Sequence, residues 1–173
     1  MSLKRRNMKV ILKTYTQDPV GICEEAAAIC VRGVPSAMAL KRALASGHES
    51  VCEHASFTFR IEGVSRVFLT QLTRHRLASF SVESERYVNS TNNSVILPSA
   101  LLNLDNNLAF EVADLVADSR DLYDRLIEAG IAPENARYIL PQGTETAILF
   151  TANARELRHI FSLRSCNRAQ KEI

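Results

Sequence analysis

The chain has 173 residues, 46% of them apolar and 23% charged, with a formal net charge of +2. That composition suits one domain, residues 1–173, with a sizeable core, and it excludes a disordered chain. No apolar run reaches the roughly 20 residues of a membrane span, and the small net charge gives no argument for a nucleic-acid partner.

In chain order, the start "MSLKRRNMKVILKTY" is basic, but it has no long apolar stretch and no small-residue cleavage site. No signal peptide is expected. Residues 9–15 alternate weakly, as an edge strand does. Residues 22–32 read as a helix stopping at Gly33. In "PSAMALKRALASG", Ser36 is the expected N-cap and Gly47 the stop. "SFTFRIE" sets Phe57, Phe59 and Ile61 on one face of a half-buried strand.

"SRVFLTQLTR" places Val64, Phe68 and Leu72 at helical spacing, for a helix over about 65–73. "VNSTNNS" is a polar loop. A long helix is expected over about 105–129, with Leu108, Val112, Leu115, Leu122 and Leu126 on its apolar stripe. Pro133 opens a short helix in "PENARYIL". "ETAILFTA" reads as a strand, after which Asn153 and Glu156 form a capping box for another helix. A last helix starts near Asn167 and reaches Ile173 without a stop signal, so an incomplete C-terminal helix is expected. Helices and hairpin-like strands mix without a βαβ rhythm, which points to an α+β fold, an antiparallel sheet with flanking helices.

Charge is uneven along this order. Residues 99–136 hold eight acids against two Arg, and residues 137–173 hold six bases against three acids. An acidic outer helix and a basic working surface would give that pattern. Of the 21 basic residues, sixteen are Arg. Arg presents a planar, permanently charged fork suited to phosphate and carboxylate groups. Cys23, Cys30, Cys52 and Cys166 form no C-x-x-C pair and read as reduced thiols of a cytoplasmic protein. Cys166 reads as a small buried residue.

The stretch "RHRLASFSVESERY", residues 74–87, is the most unusual. Cations at a helix C-terminus complement its dipole, which accounts for the first three residues. It does not account for Ser84 or Arg86. In extended geometry Arg74 and Arg76 share a face, as do Ser84 and Arg86. A hydroxyl beside a guanidinium is a grip for a phosphate monoester.

R-H-R followed by seven residues and a Ser resembles the signature of the flavin-dependent thymidylate synthases. The resemblance continues in "SGHESVCEHASFTF", "ARYILPQGTET" and "TANARELRHIFSLRSCNRAQKEI", and it covers most of 36–173. It implies that family's fold and the reductive methylation of dUMP to dTMP. Methylenetetrahydrofolate would donate the methylene group, and FAD reduced by NADPH would carry the hydride. It also implies a homotetramer with FAD and dUMP bound where subunits meet, which suits a chain with no G-x-G-x-x-G unit. By the same resemblance His48, Ser50, Arg74, His75, Arg76, Asn153, Arg155 and His159 would contact FAD. Gln71, Arg74, Ser84, Glu85, Arg86, Arg137 and Arg164 would hold dUMP, with Arg164 facing the uracil as the catalytic residue. A guanidinium cannot act as a base, but it can stabilise charge developing on the uracil N3–C=O unit. Ser84 has no adjacent base and is assigned to phosphate binding.

The match has departures. Val82 stands where many relatives carry Gln or Glu, and Arg168 where several carry His. "EEAAAIC" lacks the Arg of the family's helix. A shortened C-terminus would weaken a tetramer.

Three other readings compete. "GHESVCEH" offers His48, Glu49, Cys52, Glu53 and His54 to a metal, but the two His are six apart and not at the i, i+4 spacing of H-E-x-x-H. An RNA or nucleotide binder would suit an Arg-rich face, but aromatics are 6% and Trp is absent. A folate-only thymidylate synthase would need a nucleophilic Cys, for which Cys166 is the candidate, but its flanks do not resemble that family.

Overall fold

The computed structural model describes residues 3–4 and 8–173, and only the backbone of Leu3, Lys4 and Asn106. In chain order come β1 (Leu3–Lys4), β2 (Lys9–Tyr15), α1 (Pro19–Cys30), α2 (Ala37–Ala45) and a 3-10 turn (Glu49–His54). Then follow β3 (Ser56–Ser65), α3 (Arg66–Leu72), β4 (Ser79–Val82), β5 (Val95–Ile96) and α4 (Ser99–Leu102). The rest is α5 (Asn106–Glu128), α6 (Pro133–Ala136) with a 3-10 turn over Arg137–Ile139, β6 (Glu145–Asn153) and α7 (Ala154–Arg164).

The main sheet runs β2-β3-β6-β4 and every pairing in it is antiparallel. β1 and β5 form a separate short parallel pair. The α+β expectation therefore holds, with β2 at an edge as its weak alternation suggests. On β6, Thr146, Ile148, Phe150 and Ala152 are buried in strict alternation. Ile148, Phe150 and Ala152 join Ile61 and Val64 of β3, Phe68 and Leu72 of α3, and Ile160 of α7 in the largest core. A second core links Cys23 and Ala27 of α1 to Val51, Cys52 and Ala55. These two cores hold α3, α7 and the 3-10 turn in fixed places around the sheet.

Local signals explain the ends. Asp18 accepts from Gly21 N at 2.9 Å and Pro19 takes the first helical position, so α1 starts three residues before the expected 22. It ends with Arg32, not Gly33, in the left-handed region (φ 50°), and Gly33 N bonds Ala28 O. Ser36 caps α2 as expected, accepting from Ala39 N. Gly47, at φ 80°, closes α2 and turns the chain into His48. Gly63, at φ 68°, lies where the β3–β6 register shifts between Ile61 and Val64. Val64 is thereby a buried strand residue, not part of the following helix. Ser65 then caps α3, its Oγ accepting from Phe68 N.

Three further expectations change. Within α5, Val116 and Tyr123 are buried, whereas Leu108, Leu115 and Leu122 are exposed. The helix carries apolar residues on more of its surface than one neighbour covers, and periodicity alone does not say which stripe faces in. The outward-facing acids Glu111, Asp114, Asp118, Asp121 and Glu128 do make α5 an acidic outer helix. No helix starts at Asn167; residues 165–172 form turns. There the Glu172 carboxylate accepts from Ser65 N (2.8 Å) and Ser65 Oγ (2.5 Å). Cys166 is exposed, not buried.

The loop 88–94 is polar but anchored. Ser90 N donates to the buried Tyr123 Oη at 3.1 Å. The Arg120 guanidinium bonds the carbonyls of Ser90, Thr91 and Asn93.

Candidate functional site

Segment 74–78 leaves α3 as turns, not as the extended chain expected. It still alternates outcomes: Arg74 and Arg76 are exposed and His75 is buried. Among the described residues neither the Arg74 nor the Arg76 guanidinium has a hydrogen-bond or ion-pair partner.

His75 points inward to α7. The Arg164 Nε–H donates to His75 Nε2 at 3.1 Å. Another Arg164 nitrogen donates to Gln71 Oε1 at 2.9 Å, and a third to the Gln71 carbonyl at 3.1 Å. The His159 ring meets His75 edge-on, with centroids 6.1 Å apart. On the other side the buried Glu156 carboxylate lies 3.6 Å from His75 Nδ1, within electrostatic reach but too long for a hydrogen bond. Gln71, His75, Glu156, His159 and Arg164 thus form one cluster between α3 and α7.

Its electrostatics follow from burial. Burial, the Arg164 charge and His159 all hold His75 below its ordinary 6.5, and Glu156 opposes them more weakly than the first two. His75 is therefore neutral at pH 7. Because Nε2 accepts from Arg164, its proton sits on Nδ1, toward Glu156. Arg164 meets only neutral acceptors among the described residues, so no carboxylate cancels its charge. A permanent cation held this way can stabilise negative charge on a bound group.

A second group lies beyond the end of β4. Glu83 N bonds Ala147 O on β6. Ser84 Oγ accepts from Arg86 N at 3.3 Å, so the two share a turn and not a strand face. The Arg86 guanidinium lies on Glu134, at 3.2 and 3.1 Å, and 5.4 Å from the Tyr87 ring centre. Arg137 Nε donates to the Glu134 carbonyl at 3.2 Å. Glu134 thus gathers Arg86 and Arg137 at one place. Glu85 pairs with Arg66 at 3.1 Å, a largely buried ion pair without hydrogen-bond alignment.

A third group surrounds the start of α7. Asn153 accepts from Glu156 N at 2.9 Å as its N-cap. The reciprocal half of the expected capping box is absent, because Glu156 turns to His75. Arg155 pairs with Glu53 and, at 3.9 Å, with Glu49; Arg158 reaches Glu49 at 3.5 Å. The expected basic face is thus partly neutralised. His48 and Ser50 are exposed at the 3-10 turn, and Ser50 borders a cavity of about 410 Å³ against α1, lined also by Ile22, Ile29, Cys30, Glu53 and His54. Among the described residues no cluster of three His, Cys, Asp or Glu side chains is placed to hold a metal, and no helix is long and apolar enough to cross a membrane.

The sequence-selected residues therefore fall into three places along one sheet. Ala147, beside Ser84, and Asn153 stand six residues apart on β6, about 20 Å at 3.4 Å per residue. The middle cluster joins residues selected for both ligands, with Arg164 touching both Gln71 and His75. Glu156 is the member that sequence reasoning missed. Its only sequence signal was a capping-box spacing, which explained it too readily.

The family model described as "Thymidylate synthase complementing protein" matches residues 11–173. The flavin-dependent thymidylate synthase of Pyrococcus furiosus is 39% identical, over 96% of this chain and 74% of its own length. That of Geobacter sulfurreducens is 40% identical, over 96% of this chain and 77% of its own length. A crystal structure of thymidylate synthase X from Helicobacter pylori with FAD and dUMP superposes with a TM-score of 0.72, at 32% identity over 95% of this chain and 87% of that one.

Proposed function

Since this chain belongs to the flavin-dependent thymidylate synthases, we propose that it converts dUMP to dTMP. The methylene group comes from methylenetetrahydrofolate. FAD, reduced by NADPH, supplies the hydride when bound. The observation that carries the assignment of roles is the Arg164 fork: a half-buried cation fixed on Gln71 and His75, with no carboxylate partner among the described residues.

In this reading Arg164 faces the uracil and stabilises charge developing on its N3–C=O unit, which raises the nucleophilicity of C5. Gln71 holds the guanidinium and reaches the nucleotide beside it. Arg74, Ser84, Arg86 and Arg137 hold the phosphate and sugar, with Glu85 orienting Arg66 nearby. Glu134 pre-gathers two of those arginines.

The chain's donors fit FAD. Arg74 and Arg76 carry exposed guanidinium groups, without a partner among the described residues, of the kind a diphosphate needs. His75 and His159 offer ring edges, the Asn153 amide has donors to spare beyond its cap, and Ser50 borders a cavity with His48 one turn away. Arg155 would bind while retaining, or by exchanging, its carboxylate partners.

The separation along β6 supports sites completed between copies of the chain, in a homotetramer. Val10, Ile11, Leu12 and Tyr15 on β2 and Leu149 on β6 are exposed apolar residues that such an assembly would cover.

The test is a visible absorption spectrum of the purified protein, taken alone, with FAD, and then with dUMP. Bound-flavin bands that shift on adding dUMP are expected. Absence of flavin binding in a protein whose mass shows a tetramer would overturn the assignment.

A further inference from the structure

We propose that Glu156 is a positioning residue: its buried carboxylate holds the proton of His75 on Nδ1 and so keeps Nε2 free to anchor Arg164. This rests on the reading that Arg164 faces the nucleotide. Glu156 is only 4% exposed, and burying a carboxylate is costly unless something compensates it. Part of the compensation comes from the N-terminal end of α7, where backbone N–H groups converge. The rest lies across the gap at His75 Nδ1, 3.6 Å away.

The chemistry of the imidazole makes that contact consequential. A neutral His has one N–H and one lone pair. Arg164 has no lone pair to offer, so it can be held only by the lone pair of Nε2. In the alternative tautomer Nε2 carries the hydrogen and two donors oppose each other. Arg164 then loses its His75 anchor and keeps only Gln71. A carboxylate beside Nδ1 favours the tautomer whose hydrogen points toward it. The other charged or titratable groups facing His75 are Arg164 and His159, both on α7, and neither can accept from Nδ1 while Glu156 occupies that side. Gln71 of α3 is uncharged. Glu156 does not touch the ligand in this scheme. It acts through His75.

Two readouts test it in the FAD-loaded protein. One is the tautomer of His75, read from the nitrogen shifts of its imidazole by NMR and assigned with His75→Gln. The other is dUMP affinity by calorimetry. Wild type should show Nδ1–H. Glu156→Ala should show Nε2–H as a substantial species and bind dUMP about tenfold more weakly. Glu156→Gln keeps the shape but loses the charge that acts across 3.6 Å, and should move both readouts in the same direction as Glu156→Ala. If Glu156→Ala does not fold, Glu156→Asp, whose carboxylate is withdrawn by one methylene, should move both readouts the same way by about threefold. A melting-temperature loss with Nδ1–H and the wild-type dUMP affinity intact in these variants would overturn the positioning role. Failure of the wild type itself to bind dUMP, with Nδ1–H present, would instead overturn the reading of Arg164 and with it the function for which it is positioned.

Discussion

The guanidinium of Arg164 holds Gln71 twice, at the side-chain oxygen (2.9 Å) and at the main-chain carbonyl (3.1 Å). Both bonds cross from α7 to α3, and the second does not depend on the identity of residue 71. The planar fork is what allows two parallel bonds and a third to His75. Lysine is a point charge and cannot make that set. We expect Arg164→Lys to lower turnover about 100- to 1,000-fold while flavin loading stays near wild type. Steady-state kinetics with matched flavin content would check it, and turnover within about twofold of wild type would contradict the role.

His75 gives stability a dependence on pH. Its folded-state pKa lies below the ordinary 6.5, chiefly through burial and the Arg164 charge. Below pH 6.5 the unfolded chain therefore binds a proton that the folded chain refuses. Stability should fall as pH drops through 6.5, and the slope should vanish again below the depressed folded value. Urea melts between about pH 7.5 and about pH 5 in wild type and His75→Gln would show it. The substitution should flatten the profile.

Loop 88–94 should depend on α5 for its order. Tyr123→Phe removes the acceptor of a buried Ser90 N–H and should cost about 1–3 kcal/mol. Arg120→Ala frees three carbonyls at once and should cost at least as much. Hydrogen exchange at Ser90 is the direct measurement, with faster exchange expected in both.

Within the same helix, adjacent residues should respond oppositely. Val116→Ala creates a cavity against Val95 and Leu97 and should cost ~2 kcal/mol. Leu115→Gln, at a side chain 71% exposed, should change the stability of the isolated chain by no more than ~0.5 kcal/mol. Denaturant midpoints of the two variants decide this.

Cys166 should be more reactive than the buried thiols. Backbone N–H groups of Arg168 and Ala169 hold it below its ordinary 9.0, whereas burial and the neighbouring Cys52 push Cys23 up. Limiting iodoacetamide should label Cys166 well before Cys23, as peptide mapping would show. Cys166→Ala should leave turnover unchanged, since the flavin-dependent reaction has no use for a cysteine nucleophile.

These cases show what could be read in advance. Strand alternation at Ile148, Phe150 and Ala152 and caps at Ser36 and Asn153 are local, and local signals carried the sheet and most helices. The R-H-R motif drew attention to residues that do meet at His75 and Arg164. What stayed hidden depends on partners far along the chain. The side of α5 that faces inward is decided by Val95 and Leu97, not by the period of its leucines. Glu156 satisfies a capping spacing, yet its carboxylate serves a histidine 81 positions earlier. The turns after Arg164 looked helical because nothing local opposes a helix, while Glu172 is drawn away to Ser65.

That last contact sets an order of events. Ser65 starts α3, which carries Gln71 and leads into His75, and it is bonded to a residue 107 positions later. During synthesis the sheet can begin to pair before Glu172 has emerged, but the start of α3 lacks these two bonds until then. The helix that carries Gln71 thus gains its full support only after every strand of the main sheet has been made.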